Sequence, residues 1–128
     1  MKSLNVESRF SNEKGSITVK VPVLSFKEDN ANIIYCPALD LNGSGHTESE
    51  ARESFAITVT DYLNYTTHKG TLWTDLKKLG WKIKKGKKKP ASPPPMSELL
   101  KNNDEFSSIF DNYPYNKFDT GVSLPVYA

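Results

Sequence analysis

The two histidines are the first candidates for acid–base or metal chemistry, because imidazole titrates near neutral pH and binds divalent metals. His46 precedes a long stretch with helical periodicity, and His68 follows it. A helix of that length is roughly 30 Å long, so residues at its two ends cannot easily share a metal ion. A single histidine near a helix end is more often a capping or surface residue than a general base. We therefore expect no catalytic or metal-binding histidine.

Carboxylates and nucleophiles are also poorly arranged for catalysis. A two-metal nuclease needs several converging acidic ligands, but the first two predicted strands, residues 17–26 and 33–36, contain no acid. No serine lies in a G-x-S-x-G pattern, and Cys36, the only cysteine, has no histidine partner at a motif distance. We expect Cys36 to be a buried strand residue. The sequence predicts a binding protein without a cofactor, not an enzyme.

The stretch NGSGHTESEARESF, residues 42–55, places two glycines before a predicted helix, as a phosphate-binding loop does. However, Thr47 and Glu50 form a T-x-x-E capping box, in which each side chain accepts from a backbone N–H of the other. The acids Glu48, Glu50 and Glu53 would also repel a phosphate. No complete P-loop or dinucleotide-binding fingerprint is present. The sequence favours a tight turn and a well-capped helix.

A basic band is the remaining functional feature. Residues 77–89, KKLGWKIKKGKKK, contain eight lysines and no acid, so the rest of the chain is acidic despite the net charge of +2. Such a band can bind phosphates of RNA or DNA non-specifically. The alternative is a solvated face and linker that maintain solubility. We expect Trp81 to lie in the core and not to stack on bases. The candidate nucleic-acid-binding residues are Lys82, Lys84, Lys85, Lys87, Lys88 and Lys89.

The strands that must position these residues follow from alternating apolar residues. Residues 17–23 have the period of a half-buried strand, and Pro22 within them indicates a sheet edge or a bulge. A second strand at residues 33–36 completes a hairpin with the first. Leu39 and Leu41 extend a third, short strand. We expect these strands to form a small antiparallel sheet.

A change to helical periodicity follows, from Thr47 to about Thr67. Ile57 lies outside the apolar row of this helix, either as a tolerated surface residue or as part of an oligomer contact. A shorter helix between Thr71 and Gly80 and a final strand from Trp81 to Lys85 come next. The expected apolar row consists of Ala51, Phe55, Val59, Tyr62 and Tyr65.

The chain divides at a linker rich in lysine and proline. Residues 1–85 are predicted to form an α+β domain with the order β-β-β-α-β and one long helix packed on the sheet. Residues 86–95, GKKKPASPPP, favour an extended path. Residues 96–128 are predicted to form a C-terminal arm, with a helix over 97–111 and then a short strand. This strand is expected to add to a sheet edge of its own or of a neighbouring subunit.

The compartment is predicted from what the sequence lacks. No apolar run approaches the roughly 20 residues needed to cross a bilayer. The N-terminus MKSLNVESRF has no apolar core of a signal peptide. A single cysteine fits a reducing compartment. We expect a cytoplasmic protein that does not associate with membranes.

The stretch CPALDLNGSGHTESEARESF, residues 36–55, resembles the core motif of HicB-like antitoxins. In that family a short strand with a proline-and-leucine segment leads through a glycine to a capped helix. His46 stands where the family usually has aspartate, and the resemblance covers about residues 16–85. The positions that match the motif are Gly45, Thr47, Glu50 and Ala51.

The resemblance implies a reduced RNase H-like unit without nuclease carboxylates. It also implies a role in a toxin–antitoxin system, in which the antitoxin covers a small mRNA-cleaving toxin with a double-stranded-RNA-binding-domain-like fold. Such antitoxins often repress their own operon through a C-terminal DNA-binding segment. This chain departs from that pattern after Lys85, where one helix precedes a strand instead of two closely spaced helices.

These observations lead to two functional expectations. The first is a HicB-like antitoxin or a solitary relative that acts by protein–protein binding, with a small basic toxin as partner and a homodimer or higher oligomer as its assembly. An acidic body would attract such a partner electrostatically. The alternative is a nucleic-acid-binding protein or transcriptional regulator that uses Lys77 to Lys89.

Overall fold

A computed structural model describes residues 4–6, 16–84 and 91–125. The predicted α+β class, with a small antiparallel sheet and one long helix packed on it, is confirmed. None of the described helices has the length and apolar content of a membrane span. The elements in these residues are β1 (Leu4–Val6), β2 (Ser16–Glu28), β3 (Ala31–Cys36), β4 (Leu41–Gly45), α1 (Glu48–Lys69), α2 (Leu72–Lys78), β5 (Lys82–Ile83), β6 (Ala91–Ser92), α3 (Met96–Asn102), α4 (Asp104–Asn112) and β7 (Tyr115–Pro125).

The main sheet has five strands in the order β1-β7-β2-β3-β4, and every pair except β1 with β7 is antiparallel. The turn between β2 and β3 is formed by Asp29 and Asn30, whose φ angles are 50° and 68°. Positive φ at both positions is the geometry of the type I′ turn, which matches the twist of a hairpin and favours Asp and Asn. The predicted hairpin is therefore present.

The C-terminal strand is an interior strand of this sheet. β7 pairs with β2 from Tyr115, opposite Phe26, to Pro125, opposite Ser16. The predicted tail strand thus pairs within its own chain, but it lies between β1 and β2 and not at a sheet edge. β5, which lies within the strand expected at residues 81–85, instead pairs with β6 in a separate two-stranded sheet. The place beside β2 is taken by β7, which pairs with it along 11 residues, whereas β5 pairs with β6 over 2 residues.

The region predicted as a separate arm also differs from expectation. It contributes two helices and an interior strand to the same body as β2. The helix expected over residues 97–111 is interrupted at Asn103, whose backbone is extended (φ −120°, ψ 101°). The Asn103 side chain accepts from the N–H of Phe106 at 3.0 Å, so it caps α4 instead of continuing α3.

Pro22 does not lie on an edge strand, because β2 is between β7 and β3. The pairing with β3 begins only at Leu24, however, and Pro22 has a partner in β7 alone, Asp119. On one side of Pro22 the strand is locally an edge. The missing N–H therefore disrupts little of the ladder.

α1 packs on one face of the sheet through a row of side chains spaced by about four residues. Tyr65, expected in this row, is 64% exposed. Each i+4 step turns the row by about 40° around the helix, which brings Leu63 onto the buried face and moves Tyr65 away from it. The buried residues of α1 are Ala51, Phe55, Val59, Leu63 and Thr66.

The contact between β4 and α1 needs a residue without a side chain at Gly43. A Cβ atom there would overlap the backbone of Phe55 and lie 2.8 Å from the carbonyl oxygen of Ala51. Gly43 is a strand residue, and the turn that precedes it lies at residues 37–40. The glycine therefore provides clearance for the helix and not the tight turn that the sequence suggested.

α3 and α4 cover part of the opposite face of the sheet, here called the outer face. Phe26 on this face has its ring centroid 5.2 Å from that of Tyr113. On the first face, the guanidinium of Arg52 in α1 lies 4.7 Å from the ring centroid of Phe118. The sheet is thus covered by α1 on one side and by the C-terminal helices on the other.

Candidate functional site

The residues that match the HicB-like motif all lie at the junction of β4 and α1. Thr47 accepts from the N–H of Glu50 at 3.1 Å, which is the first bond of the predicted capping box. Its carbonyl oxygen accepts from the N–H of Ala51 at 3.0 Å. A Cβ atom on Gly45 would lie 2.8 Å from the nitrogen of Ala51. These contacts position the helix on the strand, and the N–H groups they engage do not point to a ligand.

The histidines lie near opposite ends of α1 and both are exposed. The carbonyl oxygen of His46 accepts from the Asn32 side chain at 2.9 Å. His68 is in the last turn, before the C-cap Gly70. In the described part of the chain, no group of three or more His, Cys, Asp or Glu side chains is placed to hold a metal ion.

The basic band is described only in part. Lys77 and Lys78 on α2, Lys82 on β5 and Lys84 after it are all exposed. None of the four forms a salt bridge with another described residue, since the ion pair found within residues 4–6, 16–84 and 91–125 involves other side chains. Trp81 is buried, and its indole N–H donates to the carbonyl oxygen of Ala38 at 2.7 Å. The candidate residues that lie outside the described ranges are Lys85, Lys87, Lys88 and Lys89.

A cleft between α4 and the outer face is the first of two neighbouring acidic sites. Its volume is about 340 Å³. Glu28 and Glu105 stand at its rim, and both are exposed. The charge of Glu28, with a hydrogen bond to the same carboxylate, raises the pKa of Tyr113. The apolar and aromatic lining consists of Phe26, Ile33, Tyr35, Ile109 and Tyr113.

A second cleft, of about 300 Å³, lies between the 37–40 turn, α2 and the start of α4. Three exposed carboxylates line it, those of Asp40, Glu98 and Asp104, together with one cation, Lys78. Leu99 contributes an apolar part of the wall. This cleft therefore also combines apolar surface with an excess of negative charge.

A short hydrogen-bond network forms the wall between the two clefts. The Tyr35 hydroxyl donates to Asp40 at 2.7 Å and accepts from the Asn103 side chain at 2.9 Å. Burial, followed by the hydrogen bond to Asp40, raises the pKa of Tyr35 well above its ordinary value. A neutral tyrosine therefore joins β3, the 37–40 turn and α4. We call the two sites together the acidic double cleft, defined by Glu28, Asp40, Glu98, Asp104 and Glu105.

The sequence did not indicate the double cleft because its carboxylates come from the end of β2, the 37–40 turn and the two C-terminal helices. They meet only because α3 and α4 fold back over the outer face. One local signal existed. Helical spacing after the prolines, together with the acids at Glu98, Asp104 and Glu105, indicates an acidic amphipathic segment that has to pack on something.

No protein-family model, curated protein or solved structure matches the chain.

Proposed function

We propose that the protein is a HicB-like antitoxin, or a solitary relative of that family, which acts in the cytoplasm by binding a small basic protein. The acidic double cleft is the observation that carries this proposal. It offers five exposed carboxylates around apolar and aromatic surface, and Lys78 is the one cation among the described residues that line it. Such a surface can bind the cationic side chains of a partner, since aromatic rings and carboxylates both attract cations.

The first cleft has the chemistry to accept an arginine or lysine of the partner. The rings of Phe26 and Tyr113 lie beside each other at its floor, and Glu28 and Glu105 stand at its rim. A guanidinium placed there would stack on a ring and pair with a carboxylate in a partly desolvated site. The same charges would steer a basic partner during encounter.

The family assignment within this proposal is supported by the motif residues. Gly45, Thr47, Glu50 and Ala51 serve the junction of β4 and α1, within the order β2-β3-β4-α1. By the resemblance, the partner would be an mRNA-cleaving toxin, whose RNA-binding surface is expected to be basic. Covering that surface with an acidic one would inhibit the toxin without chemistry by the antitoxin. We expect the protein to act without enzymatic activity and as a homodimer or higher oligomer.

Affinity purification from the native cytoplasm tests the proposal, in high and low salt and with protein and nucleic acid identified separately. A small basic protein retained in stoichiometric amount at high salt is the expected result. Such a complex should survive because its ion pairs are partly desolvated and screened weakly. Recovery of nucleic acid alone, and only at low salt, would contradict the proposal.

Nucleic-acid binding by the basic band is the second candidate function. The observation that favours it is the set of exposed lysines on α2 and β5, none of which forms a salt bridge with a described carboxylate. Contacts of this kind release counterions and weaken steeply with salt. Replacing Lys82, Lys84, Lys85 and Lys87 to Lys89 by glutamine should abolish binding to nucleic acid if this candidate is correct. The same variant should keep a toxin complex formed through the double cleft.

A further inference from the structure

An exposed row of residues winds around the side of α1 that points away from the sheet, and its composition is unusual. Of the three exposed large hydrophobic side chains among the described residues, Ile57 (55%) and Tyr65 (64%) both lie in this row. Acidic residues occupy one end of the row and the middle, and a lysine occupies the other end. We call this row the α1 stripe; its members are Glu53, Ile57, Asp61, Tyr65 and Lys69, all exposed and four residues apart.

The α1 stripe is complementary to itself when read in the opposite direction. Around Asp61, an antiparallel copy places Ile57 against Tyr65 and Glu53 against Lys69. Residues four and eight positions from the centre lie about 6 and 12 Å from it along the axis. Because the stripe follows an i+4 row, which is inclined by about 26° to the helix axis, two such rows align when the helices cross at about 50°, and long side chains can then meet along them. A two-fold axis through the centre therefore forms every contact twice, as an isologous dimer requires.

The pairing has a physical basis at each position. Ile57 and Tyr65 would remove apolar surface from water on both copies. The ammonium of Lys69 lies 5.8 Å from the ring centroid of Tyr65, so the cation is already held beside the aromatic ring that would meet Ile57. From there it can reach Glu53 of the second copy. Like charges meet only at the axis, where Asp61 faces its own copy and weakens the contact.

We propose that the α1 stripe is the surface through which two copies of this chain dimerise, with antiparallel α1 helices. The dimer specifies the oligomer of the proposed function and so builds on that function. Its site is separate from the acidic double cleft, because α1 and α4 cover opposite faces of the sheet. The isolated protein can therefore form the dimer without any other partner.

Sedimentation velocity of the purified full chain over a concentration series tests the dimer directly. Wild type should shift from monomer to dimer as concentration rises. Glu53→Lys and Lys69→Glu should each weaken the dimer about tenfold or more, because each creates two like-charge contacts. Lys101→Glu, an exposed charge reversal on α3, is the control and should have no effect. Thermal melting of every variant checks that the monomer is folded.

Two further variants make the geometry itself testable. The double variant Glu53→Lys with Lys69→Glu should restore dimerisation to within about threefold of wild type, since the exchanged charges again meet opposite partners. Asp61→Asn should tighten the dimer about threefold or more by removing the repulsion at the axis. A wild type that remains monomeric throughout, or a double variant no better than the single ones, would overturn the proposal. Neither result requires the basic partner, so failure of the dimer is distinct from failure of the proposed function.

Discussion

Replacing Gly43 by alanine tests the close contact between β4 and α1. The added methyl group would meet three backbone atoms of the helix, the Phe55 nitrogen, the Phe55 Cα at 2.5 Å and the Ala51 oxygen at 2.8 Å. Carbon atoms normally approach to about 3.5–4.0 Å, so the helix has to move by about 1 Å. A flexible side chain could turn aside, but these are backbone atoms and the whole of α1 must shift.

The expected loss of stability comes from the packing between α1 and the sheet, which a displacement of the helix would disturb. α1 buries Phe55, Val59 and Leu63 completely, and a gap of 0.5–1 Å already forfeits about a quarter to a half of each van der Waals contact. Overpacking typically costs about 1–3 kcal/mol. Because the clash is with backbone, we expect Gly43→Ala to lower the free energy of unfolding by about 3 kcal/mol or more. That is a large part of the roughly 5–15 kcal/mol that stabilises an ordinary domain.

Urea unfolding followed by circular dichroism measures the effect, with Gly70→Ala as the matched control. Gly70 has a φ of 73° and nothing within 4 Å of its added Cβ, so alanine there meets strain but no clash. Its expected cost is about 1–2 kcal/mol. A Gly43→Ala variant within about 0.5 kcal/mol of wild type, or more stable than Gly70→Ala, would refute the account of this junction.

Three other predictions concern the core and its caps. Trp81→Phe should lower the free energy of unfolding by about 1–3 kcal/mol in urea titrations, because the buried carbonyl of Ala38 loses its indole donor. Thr47→Ala should cost about 1 kcal/mol in the same assay through loss of the α1 cap, and no loss would contradict that role. Burial raises the pKa of both Cys36 and Tyr62 to about 12, so the folded protein keeps these groups neutral while the unfolded chain ionises. The contribution of these two groups to stability should therefore be constant below about pH 8 and decrease as pH rises through 9 and 10, the ordinary pKa values of cysteine and tyrosine. Cys36→Ala should reduce the slope of stability against pH near pH 9.

Features set by local sequence were predictable. The long helix, its cap at Thr47 and the β2–β3 hairpin depend on residues within a few positions of each other, and the structure contains all three. The helix break at Asn103 is consistent with the two consecutive asparagines, Asn102 and Asn103, since asparagine favours helix caps over helix interiors. The position of α3 and α4 on the outer face was not predictable, because it depends on contacts with strands that are distant in the sequence, such as that of Asn103 with Tyr35.

Features set by non-local pairing were missed. The pairing of β7 with β2 joins residues that are far apart in the chain, so no local pattern indicates it. Pro22 indicated a strand without a second neighbour, and this is true at Pro22 itself, where β2 pairs with β7 alone. From Leu24 onward, β2 also pairs with β3, so the strand as a whole is not an edge strand. The acidic double cleft was missed for the same reason, since its carboxylates belong to four separate segments.

The two faces of the sheet thus carry different proposed contacts. The outer face, under α4, presents the acidic double cleft to a basic partner. On the opposite side of the sheet, the α1 stripe is the proposed contact with a second copy. A dimer formed in this way would leave both of its clefts accessible, so each copy could hold one partner. A complex with two copies of each protein is the stoichiometry that this arrangement predicts.

The most direct test of the central claim is calorimetric titration of the captured basic protein into cleft variants. Glu28→Gln combined with Glu105→Gln keeps size and hydrogen-bonding groups but removes both charges at the rim of the first cleft. Glu50→Gln combined with Asp119→Asn removes two exposed charges elsewhere and is the control. We predict at least tenfold weaker binding for the cleft variant, about 1.4 kcal/mol or more, and an unchanged control. Equal affinities for the cleft variant and wild type would contradict the assignment of the acidic double cleft as the binding site.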